Sequence, residues 1–164
     1  LGAVDIYGLM FHGPRFQPLK GVVATIETTS GTGIEARVNS IQDLPDPRLF
    51  NIRGKAIIPD LTSYPMLIES CFQAAGLTSM DLDSAESLPV GAKRILIAGE
   101  IPEGSLTVTS VRKGSETNGT FVHESVIRLD GSPIMRIDGL KMKKLRDLND
   151  DQRPGLAEYS GELA

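Results

Sequence analysis

The stretch Pro65-Met66-Leu67-Ile68-Glu69-Ser70-Cys71-Phe72-Gln73-Ala74-Ala75-Gly76 decides how the rest of the chain is read. It opens on a proline, whose missing N–H has no helical partner in a first turn, and closes on a glycine. The stretch therefore predicts a helix over 65–76. Met66, Leu67, Ile68, Cys71, Phe72, Ala74 and Ala75 leave that helix no wet face. A helix that is apolar on most sides is buried, so the remaining chain has to wrap it.

The wrapping comes from short β segments. Seventeen glycines and ten prolines punctuate the chain at the spacing of a β-rich domain. Residues 19–28 read as a strand, Ser30 to Gly33 as a turn, and Ile34, Ala36 and Val38 as the apolar face of a second strand. Prolines 45, 47 and 59 make 42–63 an extended connection, long enough to suggest a functional or covering loop. Beyond the helix and a polar connection over 78–87, four more strands are expected at about 94–98, 106–113, 120–129 and 133–145. Turns at Glu116 to Gly119 and Asp130 to Ser132 join the last three as hairpins. In the final strand Met135 and Ile137 fall out of phase with Leu140 and Met142, which predicts a β-bulge at Gly139. One helix against one antiparallel sheet is an α+β layer architecture over 1–146, and 147–164 reads as a polar tail or linker.

Composition narrows the function classes. The 164 residues are 40% hydrophobic and 23% charged, as in an ordinary globular protein. Seventeen basic against 21 acidic residues, net −4, argue against a general nucleic-acid surface. No apolar run approaches the ~20 residues of a membrane-spanning helix. A single cysteine, Cys71, excludes an internal disulfide framework, points to a reducing, cytoplasmic setting, and reads as a small core residue rather than a nucleophile. With two histidines, His12 and His123, no multi-histidine metal site is expected. No Ser-His-Asp arrangement, P-loop or G-x-G-x-x-G fingerprint is present. The chain opens on Leu1, so it is expected to be a piece of something longer.

Two features carry chemistry. Glu69 and Gln73 are the polar pair of the apolar helix and, four apart, share one face. Burial raises a carboxyl's pKa, so Glu69 reads either as an acid tuned to exchange a proton, held by the Gln73 amide, or as a solvated or arginine-paired residue at a helix end. The segment Phe11-His12-Gly13-Pro14-Arg15-Phe16-Gln17 reads either as a plain Gly-Pro turn or as a loop bringing an imidazole and an aromatic into a site. His123, mid-strand beside Glu124, is assigned a surface or cross-strand place.

At these features the sequence resembles the dehydratase domain of polyketide and polyunsaturated fatty-acid synthases, specifically its C-terminal hotdog half. Gly13-Pro14-Arg15-Phe16-Gln17 resembles the family's Y-G-P-x-F-Q segment, and Tyr64 to Gly76 is similar to its H-P-x-L-L-D-x-x-x-Q helix. Leu88-Pro89-Val90 resembles the start of the strand after that helix, and Asp130 to Met142 the closing D-G-x-P…G-L strand. The likeness runs from about 7 to 145.

The resemblance implies a hotdog fold, a curved antiparallel sheet around one central helix. It puts Glu69 at the family's catalytic aspartate, a place where some stand-alone bacterial dehydratases also have glutamate. It matches Gln73 to the supporting residue four positions on, and puts His12 where the family usually has tyrosine. Gly13, Pro14, Phe16, Pro65, Leu67 and Phe72 are then the substrate-binding candidates, with a backbone N–H near Pro65 polarising the thioester. The implied substrate is a 3-hydroxyacyl thioester on the phosphopantetheine of an acyl carrier protein, dehydrated to a 2-enoyl thioester with no further cofactor and no metal. The family's H-x-x-x-G-x-x-x-x-P motif, which carries the catalytic histidine in the N-terminal hotdog, is missing. The base is therefore expected from a second hotdog, as a homodimer or a double hotdog. Two other readings compete: a silent acyl-binding or structural hotdog half, and a thioesterase or product-template-like hotdog.

Overall fold

In the computed structural model, residues 1–12, 16–39, 60–98 and 104–155 are described. Helix α1 (Ala3–Leu9) leads into strands β1 (Leu19–Thr28) and β2 (Gly31–Val38), followed by helix α2 (Asp60–Asp83). Strands β3 (Ala85–Gly91), β4 (Arg94–Ile97), β5 (Leu106–Glu116), β6 (Thr120–Leu129) and β7 (Ser132–Asp147) complete one antiparallel sheet, and a short 3-10 turn covers Asp150–Gln152. The sheet order is β1-β2-β5-β6-β7-β3, with β4 also pairing β7. Helix α2 packs across the sheet against β5, β3, β2, β6 and β7. The expected connection over 42–63 falls largely outside the described residues, as do Gly13 and Pro14.

The apolar helix is buried as its composition requires. Leu67, Cys71, Ala74, Ala75 and Leu77 are fully enclosed, against Ile34, Ala36, Val108, Ile127, Ile137 and Leu140 from the sheet. Cys71 is a core residue, its thiol pushed up by burial.

Both expected helix ends are corrected. Helix α2 begins at Asp60, so Pro65 lies inside it rather than in its first turn. There the proline withholds only the N–H that would reach back to residue 61. Gly76 does not stop the helix either. Leu77, Thr78, Ser79 and Met80 are all buried, and that packing outweighs the roughly 1 kcal/mol penalty of a mid-helix glycine. A Cβ at Gly76 would stand 3.5 Å from Met10 Cε, an ordinary van der Waals contact, so packing does not require a glycine there. The helix ends at Ser84, whose φ of 47° is left-handed and whose carbonyl accepts Leu148 N–H at 2.7 Å. Residues 78–87 are thus helix and strand rather than a polar connection. Strand β3 lies at a sheet edge, where Pro89 is tolerated.

The bulge is where the phase slip predicts it. Opposite β7, the register jumps between His123↔Leu140 and Ser125↔Ile137, and Gly139 takes φ +60°. The extra residue keeps Met135, Ile137, Leu140 and Met142 all on the buried face. Strand β7 runs to Asp147, Leu148 packs against the core, and Arg153 donates to the Asp81 carbonyl at 3.0 Å. The chain therefore stays on the fold past residue 147.

His123 is corrected from a surface place to the interior, where it does make a cross-strand contact. Phe121, His123, Ser125, Ile127 and Leu129 form the inward face of β6. The imidazole lies 3.3 Å from Ser79 Oγ and 3.5 Å from Ser110 Oγ, and Ser125 Oγ reaches Ser110 Oγ at 3.1 Å. Burial, then the Arg112 charge, lowers its pKa to about 3. Polar residues on an inward face read as outward in sequence; only the serines of α2 and β5 make this one tolerable.

Candidate active site

The site forms where the chain ahead of β1 crosses α2. Helix α1 is tied to the sheet edge by Val22 N–H to the Leu1 carbonyl and by a bridge between Gly2 and Gly21. That docking carries Tyr7 toward α2 and delivers Phe11 and His12 beyond it. Gln17 then holds the segment in place: its Nε2 donates to the His12 carbonyl at 3.0 Å, and its own carbonyl accepts Asn39 Nδ2 at 2.9 Å. The Phe11 and His12 rings stack with centroids 4.4 Å apart.

On α2, the spacing of four brings Glu69 and Gln73 together. Gln73 is buried, and its Nε2 donates to Glu69 Oε1 at 2.9 Å and to the Phe16 carbonyl at 2.8 Å. His12 Nε2 stands 2.9 Å from the same Glu69 Oε1. The carboxyl is partly covered, with 22% of its side chain exposed. Among the described residues its partners are Gln73 and His12, and no arginine pair is seen there. His12 Nδ1 is buried and has no hydrogen-bond partner among the described residues. An Nε2–H donor leaves that nitrogen as a bare acceptor.

These groups open onto a cavity of about 450 Å³. His12, Glu69 and Gln73 form its polar end, and Leu9, Met10, Phe16, Phe72, Gly76, Met80, Leu88, Pro89 and Met142 give it apolar walls. Phe11, Glu86 and Ser87 complete the lining. From Glu69 to Met80 the wall follows about three turns of α2, on the order of 16 Å. A mostly apolar cavity with a carboxyl, an amide and an imidazole clustered in its wall suits proton transfer to or from an apolar ligand.

Of the candidates named from sequence, His12, Phe16, Glu69, Phe72 and Gln73 meet at this cavity. Leu67 does not: it is fully buried in the core and packs there, away from the cavity wall. Pro65 is not among the lining residues, and without an N–H it donates nothing itself. Sequence reasoning missed Tyr7, whose hydroxyl donates to Gln73 Oε1 at 2.9 Å, and the methionines of the wall. Nothing in the local pattern marks an isolated tyrosine on a short helix. The methionines read as generic core.

A family model described as the polyketide synthase dehydratase N-terminal domain matches residues 7–152. The chain belongs to the polyketide synthase dehydratase family. Among solved structures, this dehydratase-family chain is similar to the dehydratase domain of PpsC from Mycobacterium tuberculosis in complex with C12:1-CoA. The two are 22% identical, the match covers 88% of this chain and 52% of that one, and the TM-score is 0.57. It is similar to the dehydratase domain of RzxB from Pseudomonas fluorescens at 19% identity, covering 87% of this chain and 48% of that one, TM-score 0.55. A hypothetical thioesterase protein with coenzyme A from Streptococcus pneumoniae TIGR4 shares the fold at 14% identity, covering 90% of this chain and 100% of that one, TM-score 0.54. No sequence match was found among curated proteins. The expected hotdog fold is thus observed: one antiparallel sheet around one helix, as in the dehydratase domains. The chain spans about half the length of those domains. The matched model bears the N-terminal domain's name, so the expected assignment to the C-terminal half is not borne out by it.

Proposed function

We propose that this hotdog is the acid-bearing half of a dehydratase that converts a 3-hydroxyacyl thioester, carried on an acyl carrier protein, to a 2-enoyl thioester. The observation that carries the reading is the Glu69–Gln73 pair at the head of the apolar cavity, on the helix whose sequence resembles the family's acid helix. Membership of the family supports the reaction class. The absence of the H-x-x-x-G-x-x-x-x-P motif supports assigning this chain to the half that lacks the base.

In the proposed reaction the acyl chain lies along Phe72, Gly76 and Met80, with its 3-hydroxyl at Glu69. A histidine of a second hotdog removes a C2 proton. The electron pair forms the C2–C3 double bond as the C3–O bond breaks, and Glu69 gives its proton to the departing hydroxyl, which leaves as water. Gln73 and His12 both hold Oε1, so Oε2 is the oxygen that carries the proton to substrate. The step exchanges protons only, so phosphopantetheine is the single group it needs beyond the protein.

The partner is a second hotdog, and the β3–β4 edge is the surface we assign to it. All four residues of β4 are exposed, among them Ile95, Leu96 and Ile97, and Val90 of β3 is 60% exposed. Among the described residues, β3 and β4 pair only with β7, which leaves their outer edges open. An open apolar edge of this kind is a ready surface for another sheet.

The test is incubation of 3-hydroxyacyl pantetheine or carrier-protein thioesters with this chain alone and with the chain joined to its second hotdog. Dehydration only in the joined form supports a split site. Release of free acid instead of enoyl thioester would make the protein a thioesterase, the activity named for the Streptococcus pneumoniae neighbour. Binding without turnover in the joined form would make it a silent acyl-binding half.

A further inference from the structure

We propose that Tyr7 is a positioning residue that fixes on which oxygen Glu69 carries its proton, acting through Gln73. The inference rests on the proposed use of Glu69 as the acid. Tyr7 is outside the cavity lining and touches no ligand space; its effect has to travel through the amide.

The chain of hydrogen bonds has one direction. It begins at the Leu19 N–H, which can only donate, and which donates to the Tyr7 hydroxyl oxygen at 2.8 Å. The Tyr7 proton is thereby free to go only onward, to Gln73 Oε1 at 2.9 Å. With its oxygen end held, the Gln73 amide must turn its NH2 to the opposite side. There both N–H groups are spent, one on the Phe16 carbonyl at 2.8 Å and one on Glu69 Oε1 at 2.9 Å. A flipped amide would set its oxygen against a carbonyl and a carboxyl and its NH2 against a hydroxyl already committed to the backbone. Burial raises the Tyr7 phenol's pKa, the Leu19 N–H opposes this, and the Glu69 charge adds to it, so the phenol keeps the proton the chain needs.

The consequence reaches the acid. Oε1 accepts from Gln73 Nε2 and faces His12 Nε2, so it is saturated as an acceptor. A proton taken up by Glu69 therefore goes to Oε2. A backbone amide of β1 thus sets the polarity of the whole chain, and Tyr7 is the one side chain that hands it on.

The experiment uses the complete dehydratase with its second hotdog. Tyr7→Phe is expected to lower kcat on the order of 10-fold with KM little changed, because the substrate's contacts are intact while the acid is misoriented. Adding Tyr7→Phe to Gln73→Leu is expected to cost nothing further, since the hydroxyl works only through the amide. An unchanged kcat in Tyr7→Phe, or a double variant that loses the product of the two single effects, overturns the proposal. A second readout needs no turnover. In 15N-labelled protein the Gln73 NH2 protons should be exchange-protected and give cross-peaks to Phe16 and Glu69; in Tyr7→Phe the protection is lost while the α2 backbone amides keep theirs. In the wild-type protein, which needs no variant to fold, Gln73 NH2 protons that exchange freely or lack cross-peaks to Phe16 and Glu69 overturn the relay. If the relay signals hold but Glu69→Gln still dehydrates, the assignment of the acid has failed and the orientation by Tyr7 stands.

Discussion

His12 Nε2 stands 2.9 Å from Glu69 Oε1, joining a residue ahead of the first strand to the middle of the central helix. The contact exists because α1 is docked on β1 and Gln17 grips the His12 carbonyl. It brings His12 and Glu69, one from each chemistry-bearing motif of the sequence, to one cavity. On the proposed dehydratase reading, His12→Ala should lower dehydration by roughly 10-fold, less than loss of Glu69 itself, because Gln73 still holds Oε1. Steady-state kinetics of the complete enzyme checks this, and a full-rate His12→Ala variant would remove His12 from the site.

Glu69→Gln keeps the size of the side chain and an oxygen to accept from Gln73 and His12, but it has no proton to give. Dehydration should fall on the order of 10²–10⁴-fold while the thermal melt stays close to wild type. Near-normal turnover by this variant sinks the acid assignment.

His123 gives the fold a pH dependence of known sign. Its native pKa is lowered to about 3, against about 6.5 in an unfolded chain. Above pH ~6.5 the imidazole is neutral in both states and its contribution to stability is complete. Between about 6.5 and 3 the unfolded chain takes up a proton that the buried ring refuses, so stability falls with falling pH, by at most ~1.4 kcal/mol per unit. Urea midpoints taken at pH 7 and pH 5 should therefore differ more in the wild type than in His123→Gln. Equal differences in the two proteins would show that His123 titrates normally.

Gly139→Ala tests the bulge. The position has φ +60°, and an added Cβ would lie 3.0 Å from Lys93 Cβ. The substitution should cost about 1–2 kcal/mol in chemical denaturation. A neutral substitution would mean the left-handed turn is not required to hold Leu140 and Met142 in the core.

Ile95→Lys together with Ile97→Lys charges one face of the exposed β4 edge. Because neither side chain is buried in this chain, the fold should survive, while affinity for the proposed second hotdog should fall by roughly 10-fold or more in sedimentation or titration calorimetry. Undiminished association would move the interface elsewhere on the sheet.

The sequence by itself determined the layers and the local pairing on the central helix. A helix apolar on most sides has to be buried, alternation fixes which strand face meets it, and the phase slip around Gly139 locates a bulge because side chains alternate with a period of two. Glu69 and Gln73 are four apart, so their pairing is a local fact of helix geometry. What local pattern could not supply was decided by tertiary packing. Gly76 and Pro65 look like helix ends, but burial of Leu77 and Met80 carries the helix through the glycine. His123 looks like a solvent-facing residue, and only the serines of α2 and β5 allow it inside. Tyr7 meets Gln73 across 66 positions of chain, a contact no spacing rule encodes. Short-range patterns follow from the backbone's own repeat, whereas the partners that orient an acid are chosen by whichever distant segments the folded sheet brings against its helix.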